Sequence, residues 1–422
     1  MTQSRTAADE VVEALVVADD LTGAADTAVA FAAAGRPTQV AFAGTRPNHH
    51  RGQAGRGPAQ RPPAVLALDT DSRRHTAGDA AAAVTAALRT APPARLRMKK
   101  IDSTMRGNIG AETTAALDVL GGTLALCAPA FPAAGRQTRG GVQWAAGSRI
   151  GYVADCFTGL RVVNVGLDAV RAGRGQEELL RLAADEPTVA VVDAETDEDL
   201  HQVVRAGAAL PHDVLWVGSG GLGAALARVT PAPGTNETSS RPAGNRPTGV
   251  EGPALVIVGS ATTVATAQAD TLVAAGAAEV AVPAGALLDG QADRFAERAT
   301  GLLADGRDVV VRILSDGRIE PGHGRRVVES LGAVLAPVVA AARPAAIVAT
   351  GGETALTLAL AAGAHGLEVH AELEPGVVQS TLTGGPGSTI VTKAGAFGDA
   401  GTLVRSLGIL RVGTDHDQEG LR

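Results

Sequence analysis

The segment Lys99-Lys100-Ile101-Asp102-Ser103-Thr104-Met105-Arg106-Gly107-Asn108 gathers cations, a carboxylate and two hydroxyls within ten residues. In such a group Arg106 and Lys100 can grip a carboxylate while Asp102 accepts protons from hydroxyls. A solvated charge run would account for the lysines, but it leaves Asp-Ser-Thr and Arg-Gly unexplained. Two further turns offer related chemistry. Asp19-Asp20-Leu21-Thr22-Gly23, with Asp26 one helical turn on, places adjacent carboxylates at the start of a helix. A single polar residue there would be ordinary capping by Asp20 or Thr22, but two carboxylates exceed what a cap needs. Asp69-Thr70-Asp71-Ser72-Arg73 again combines carboxylates, hydroxyls and a guanidinium, and Pro129-Ala130-Phe131-Pro132 leads to Gly135-Arg136-Gln137-Thr138 with one more arginine. Cations set beside carboxylates suit a small polyhydroxy acid.

A second set of turns is rich in glycine. Leu255–Val258 leads into Gly259-Ser260-Ala261-Thr262-Thr263, Ala346–Ala349 into Thr350-Gly351-Gly352-Glu353-Thr354, and Thr389–Thr392 into Lys393-Ala394-Gly395-Ala396-Phe397-Gly398-Asp399, each followed by a helical stretch. Glycine lets backbone N–H groups approach a ligand, and each helix N-terminus favours an anion. Singly these are ordinary turns; three converging on one sheet edge describe a polyphosphate cradle. No G-x-x-x-x-G-K-[ST] loop and no protein-kinase signature occurs. Gly218-Ser219-Gly220-Gly221-Leu222-Gly223 matches G-x-G-x-x-G between a strand and a helix and would support an NAD-linked oxidoreductase. However, it closes its domain instead of opening a βαβ unit, and no acidic residue ends a strand about 20 positions on.

The elements that must position these turns alternate. A short β-branched run gives way to a polar turn and then to an Ala/Leu-rich stretch with helical spacing: Val11 to Ala18 before Thr27–Ala34, Val65 to Leu68 before a helix through Leu88, and Leu124–Cys127, Val189–Val192 and Val214–Val217 as buried strands. This rhythm predicts an α/β architecture with parallel sheets flanked by helices. Pro47 to Pro63 is a polar surface loop. Thr230 to Pro253, rich in Pro, Gly, Ser, Thr and Asn, reads as a linker (230–253) between an N-terminal domain (1–229) and a C-terminal domain (254–422).

Composition narrows the classes. The 422 residues are 45% hydrophobic, 19% charged and only 2% aromatic, with net charge -7. That balance excludes wholesale disorder, and an acidic chain with so few rings is no nucleic-acid platform. Two cysteines and nine histidines without ligand spacing predict no disulfide framework and no dedicated protein metal cage. The acidic N-terminus and the absence of a run of about 18 apolar residues predict a cytoplasmic protein that engages no membrane. Oligomeric state is left open, a homo-oligomer included.

DDLTGAAD at 19–26, TDSR at 70–73, KKIDSTMRGN at 99–108, PAFPAAGRQT at 129–138, GSGG at 218–221, TGGET at 350–354 and KAGAFG at 393–398 together resemble the four-carbon acid sugar kinase family, in order and across nearly the whole chain. The resemblance implies a two-domain α/β fold in which the N-terminal domain binds a sugar acid and the C-terminal domain binds ATP. Phosphate would pass to a hydroxyl in the interdomain cleft, with Mg²⁺ held largely by phosphates and water. It places nucleotide contacts at Ser260, Gly351, Gly352, Glu353, Thr354 and Gly395. Substrate contacts fall at Asp19, Asp20, Arg73, Lys100, Asp102, Ser103, Arg106 and Arg136. Lys100 would join the catalytic group, and either Asp20 or Asp102 would accept the hydroxyl proton. Two departures stand out. GSATT lacks a second serine shortly after Gly-Ser, and Gly147 to Val165 is shorter and more apolar than the family's polar stretch, which is expected to help close over the substrate. A non-catalytic ligand-binding homologue is the remaining alternative. The scarcity of rings implies an aliphatic adenine pocket.

Overall fold

The computed structural model describes residues 11–45, 63–182, 186–229, 249–259, 262–315, 322–395 and 397–412. Most of the Pro47 to Pro63 loop, the linker up to position 248, and Ser260 lie outside them. The chain forms two compact units, residues 1–240 and 241–422.

The first unit runs β1 (Val12–Ala18), α1 (Leu21–Ala33), β2 (Thr38–Ala41), β3 (Val65–Asp69), α2 (Ala77–Thr90), β4 (Ala94–Lys100), α3 (Ile109–Leu120) and β5 (Leu124–Ala128). It continues through β6 (Arg136–Arg139), β7 (Val142–Ala145), β8 (Ser148–Tyr152), β9 (Arg161–Val165), α4 (Leu167–Arg171), α5 (Gly175–Leu182), β10 (Thr188–Val192), α6 (Asp197–Ala208), β11 (Leu215–Gly218) and α7 (Gly220–Val229). Its main sheet has the order β2-β3-β1-β4-β11-β5-β10-β9, with every pair parallel. Runs such as LVVA in β1 and LALCA in β5 are buried on both faces, as a helix-covered parallel sheet requires.

The second unit runs β12 (Ala254–Val258), α8 (Thr263–Ala274), β13 (Ala278–Pro283), α9 (Ala284–Leu288), α10 (Asp293–Ala304), β14 (Val309–Leu314), α11 (Gly324–Ala342), β15 (Ala346–Thr350) and α12 (Gly352–Ala361). It ends with β16 (Ala364–Glu374), β17 (Val377–Gly384), β18 (Thr389–Lys393) and α13 (Thr402–Val412). The order is β13-β14-β12-β15-β18-β17-β16. Pairs from β13 to β18 are parallel, so β12, β15 and β18 are successive neighbours whose carboxyl ends line up.

Three features depart from the sequence reading. Strands β16, β17 and β18 pair antiparallel, joined at β16–β17 by Pro375 and Gly376, whose φ is 74°. A separate small sheet, β6-β7-β8, is built from two tight hairpins whose turn residues Gly140, Gly141, Ala146 and Gly147 all have positive φ. Helices α1 and α12 begin at Leu21 and Gly352 rather than at Thr27 and Ala355, so much of the DDLTGAAD and TGGET motifs is first-turn helix. Among the described residues no helix is long and apolar enough to cross a membrane.

Candidate functional site

In the first unit the register of β1 against β3 continues into the turns beyond them. Ala18 lies opposite Asp69, Thr70 N donates to the Ala18 carbonyl at 2.9 Å, and Ser72 N and Arg73 N donate to the Asp19 carbonyl at 3.0 and 3.2 Å. Asp71 takes the left-handed conformation (φ 48°) with its N–H on Asp69 Oδ1 at 2.9 Å, which turns the chain so that Arg73 returns over β1. Arg73 then forks onto both carboxylates. Its Nε and Nη2 donate to Asp19 at 2.7 and 2.8 Å, and its Nη1 and Nη2 donate to Asp20 at 2.7 and 2.8 Å. Burial alone would raise the Asp19 carboxyl, but Arg73, Lys99 and Lys100 hold it below the ordinary carboxylate value.

Asp20 is also the N-cap of α1, accepting from Gly23 N at 2.9 Å and from Thr22 Oγ1 at 2.8 Å. Capping and ion pairing therefore meet on Asp20 itself, while Asp19 beside it takes the other half of the Arg73 fork. A Cβ on Gly23 would stand 2.7 Å from Asp20 Oδ1 and 3.0 Å from Lys100 Nζ, so the missing side chain lets these two groups share the helix start.

The two lysines of the KKIDSTMRGN segment part company because successive strand residues face opposite sides of the sheet. Lys99, wholly buried, pairs with Glu112 of α3 at 2.8 Å, and Glu112 also accepts from Ser72 Oγ. It serves the core. Lys100 lies on the α1 side, and among the described residues its Nζ has one hydrogen-bond acceptor, the Ile101 carbonyl at 3.1 Å. Asp102 Oδ2 accepts from Thr104 N at 3.1 Å, from Thr104 Oγ1, and from Arg106 Nε at 2.9 Å. Its Oδ1 accepts Arg106 Nη2 at 2.7 Å and lies 3.9 Å from Arg73 Nη1. Against the upward push of burial, Arg106, Arg73 and Thr104 hold the Asp102 carboxyl far below the usual range. Arg106 leaves Nη1 without a partner among the described residues, and its side chain is 67% exposed.

The structure thus brings Asp19, Asp20, Arg73, Lys100, Asp102 and Arg106 into one cluster of three carboxylates and three cations. Ser103 joins through its main chain, accepting Gln143 Nε2 at 2.9 Å. Gln143 was not singled out in the sequence. Its amide also donates to the Pro129 carbonyl at 3.3 Å, and its Oε1 accepts Thr138 Oγ1 at 2.8 Å, so β7 ties the Asp102 loop to the Pro129 turn. Arg136 opens β6 beside that turn and donates to the Ala134 carbonyl. Asp69 was also missed as a site residue. It is fully buried at the end of β3, its Oδ2 has no hydrogen-bond partner among the described residues, and burial together with Asp20, Asp71 and Asp19 pushes its carboxyl well above the ordinary value.

The Gly147 to Val165 stretch finds its apolar content used locally. Val153 and Phe157 are buried against the core, and Gly110 of α3 approaches so closely that a Cβ there would lie 2.1 Å from the Cys156 carbonyl. The G-x-G-x-x-G turn is likewise filled by protein. Added Cβ atoms would lie 2.6 Å from Leu222 at Gly218, 2.3 Å from Asp26 at Gly220, 2.5 Å from the Ala130 carbonyl at Gly221 and 2.6 Å from Thr27 at Gly223. These glycines let α7 pack closely on α1 and the Phe131 turn, a packing role that accounts for them within the protein.

In the second unit Gly351 (φ 94°) follows β15 and donates its N–H to the Lys393 carbonyl at 2.7 Å, joining the TGGET and KAGAFG turns. Gly352, Glu353 and Thr354 form the first turn of α12. Gly259, at the end of β12, abuts Thr354, whose Oγ1 would be 2.1 Å from a Cβ there. Thr262 caps α8 and donates to the Gly395 carbonyl at 3.0 Å. All three glycine turns therefore meet, and the first turn of α12 is of the kind that receives a phosphate. Among the described residues no group of three or more His, Cys, Asp or Glu is placed to hold a metal.

Both parts of the chain match families of known proteins. A sugar-binding N-terminal domain family matches residues 14–155 and 148–226, and a nucleotide-binding C-terminal domain family matches residues 255–403. The chain is 38% identical to a D-threonate kinase from Cupriavidus necator, over 92% of this chain and 96% of that one. It is 36% identical to a D-threonate kinase from Bordetella bronchiseptica, over 94% and 97%. The crystal structure of a Salmonella typhimurium LT2 protein has the same fold, with a TM-score of 0.75 at 20% identity, covering 93% of this chain and 98% of that one. With relatives this similar along almost the full length, the chain belongs to the four-carbon acid sugar kinase family.

Proposed function

We propose that this protein is an ATP-dependent kinase that phosphorylates a hydroxyl of a four-carbon sugar acid, with D-threonate the first candidate. The observation that carries the reading is the cluster around Arg73, in which two cations keep donors available. Among the described residues Lys100 Nζ has a single carbonyl partner, and Arg106 Nη1 has none, on a largely exposed arginine already oriented by Asp102. A substrate carboxylate or a transferring phosphate meets its charge partner there without displacing Arg73 from Asp19 and Asp20.

Of the two carboxylates considered as proton acceptor, Asp102 fits better. Asp20 has both oxygens doubly committed, to Arg73 and to the helix cap. Asp102 Oδ1 accepts only one short bond, from Arg106, and retains capacity for a substrate hydroxyl. Held so acidic, Asp102 orients that hydroxyl and takes its proton late, once transfer has made the oxygen acidic.

The second unit fits ATP. Gly352 and the following first turn of α12 present backbone N–H groups, Gly351, Glu353, Thr354 and Gly395 border them, and the close seating of Gly259 on Thr354 keeps side-chain bulk out of the turn. Mg²⁺, when carried in with the nucleotide, neutralises phosphate charge. Asp19 and Asp20 are spent on Arg73, so phosphate oxygens and water would supply most of its ligands.

A coupled ADP-release assay across D-threonate, D-erythronate, other four- and five-carbon sugar acids and hydroxy amino acids tests the reading. Turnover with a four-carbon sugar acid is expected. ATP binding in a thermal-shift screen without ADP release from any of these acids would instead favour a non-catalytic homologue.

A further inference from the structure

Lys393 is one of the largest fully buried side chains among the described residues, and none of their carboxylates pairs with it. Its Nζ donates to the Ala394 carbonyl at 2.8 Å, the Phe397 carbonyl at 2.9 Å and the Gly395 carbonyl at 3.4 Å. An ammonium has three donors, and here each faces a main-chain oxygen of the same turn. The turn is tied down from outside as well. Gln268 Nε2 shares the Phe397 carbonyl at 3.0 Å and takes the Asp399 carbonyl at 2.8 Å, while Thr262 Oγ1 holds the Gly395 carbonyl at 3.0 Å. The Lys393 carbonyl receives the Gly351 N–H at 2.7 Å. One residue therefore contacts, directly or through Gly395, the turns that follow β12, β15 and β18.

A positive charge surrounded by carbonyl dipoles, with no anion beside it, is the coordination a potassium or ammonium ion adopts. We propose that the Lys393 ammonium is a tethered monovalent cation, whose charge gathers the carbonyls of Ala394, Gly395 and Phe397 into the arrangement in which the neighbouring turns receive the nucleotide. Lys393 is thus a positioning residue. It spends its donors on the turn's carbonyls, which would otherwise repel one another at the strand end. Burial without a partner lowers its own proton affinity, to a pKa of about 8, as expected of a cation held by dipoles alone. The inference rests on reading these turns as the nucleotide site.

The test uses the full chain with Lys393→Ala, which removes the charge and leaves room, and Lys393→Met, which removes the charge and fills the room. ADP affinity and thermal midpoint are measured in tetramethylammonium chloride and, at equal ionic strength, in potassium or ammonium chloride. Lys393→Ala should bind ADP about tenfold more weakly than wild type in tetramethylammonium and recover most of that loss, and its midpoint, in potassium or ammonium. Lys393→Met should be weak in every salt, and wild type should be indifferent. Wild-type affinity in Lys393→Met, or a loss in Lys393→Ala that neither ion repairs, overturns the proposal. If wild type binds no nucleotide at all, the functional reading fails, while the salt-dependent midpoint of Lys393→Ala still decides whether the cage takes a cation.

Discussion

Arg73 meets Asp20 through two parallel bonds, Nη1 to Oδ2 at 2.7 Å and Nη2 to Oδ1 at 2.8 Å, while its Nε and Nη2 hold Asp19. One guanidinium thus spans both carboxylates of the first motif, which sit side by side at the end of β1. Removing it strands two neighbouring negative charges in a poorly hydrated place. Breaking a buried pair in this way costs roughly 3–5 kcal/mol, and with Arg73 and Asp20 each about one-fifth exposed the lower end, about 3 kcal/mol, is expected. Arg73→Ala should therefore lower the urea midpoint markedly. Arg73→Lys, which restores charge but not the fork, should recover only part of it. Equal midpoints for wild type and Arg73→Ala would show that the fork contributes nothing.

Asp102 should betray itself through pH. Its folded-state pKa is depressed, so the stability it confers is present above the unfolded carboxylate value, about 3.9, and is lost only as pH falls through the still lower folded value. The stability gap between wild type and Asp102→Asn should stay flat from pH 8 to about 5 and close below about 4. The same substitution should reduce turnover about a hundredfold while leaving ADP affinity in place. Turnover close to wild type would remove Asp102 from the chemistry.

Much of this was legible in the sequence, and the parts that were not have physical reasons. The runs of β1, β3, β5, β12, β15 and β18 stood out because strands buried on both faces must be continuously apolar, and the polar turns after them were visible by contrast. Which lysine of Lys99-Lys100 serves the site depends on which face of β4 meets α1, and no local pattern records that. Asp69 stands in the sequence only as one member of a polar turn, because its neighbours Asp71 and Arg73 look equally polar; burial alone sets it apart as a carboxyl with an oxygen unpartnered among the described residues. Two missed elements did carry signals. Gly140-Gly141 between short alternating runs, and Pro375-Gly376 between the alternating β16 and β17, are hairpin turns that an expectation of parallel strands passed over.

Asp69 makes the opposite pH statement to Asp102. Burial and its acidic neighbours raise its folded pKa, so between the unfolded value and that raised value the folded protein binds the extra proton. Stability then falls as pH rises from about 4. Asp69→Asn, which mimics the protonated carboxyl, removes that slope. Its unfolding free energy relative to wild type should therefore improve steadily with pH from about 4 upward. Urea titrations at several pH values would show this; a gap independent of pH would mean that Asp69 titrates normally.

Gly221 sets two effects of opposite sign against each other. It lies near the start of α7, where alanine is favoured over glycine by about 1 kcal/mol through helix propensity. Its missing Cβ would stand 2.5 Å from the Ala130 carbonyl and 3.0 Å from Leu200 Cδ1. Leu200 could turn aside, but the carbonyl belongs to the backbone of the turn after β5, which also accepts Ser219 Oγ at 3.0 Å. Overpacking against such a fixed atom costs roughly 1–3 kcal/mol, so the clash should outweigh the propensity gain. Gly221→Ala is expected to be less stable than wild type in thermal or urea unfolding. Because the neighbouring turn helps hold Gln143, and through it the Ser103 carbonyl, substrate KM should also rise while nucleotide affinity stays put. A more stable Gly221→Ala protein would mean that close packing is not what keeps side chains out of this turn.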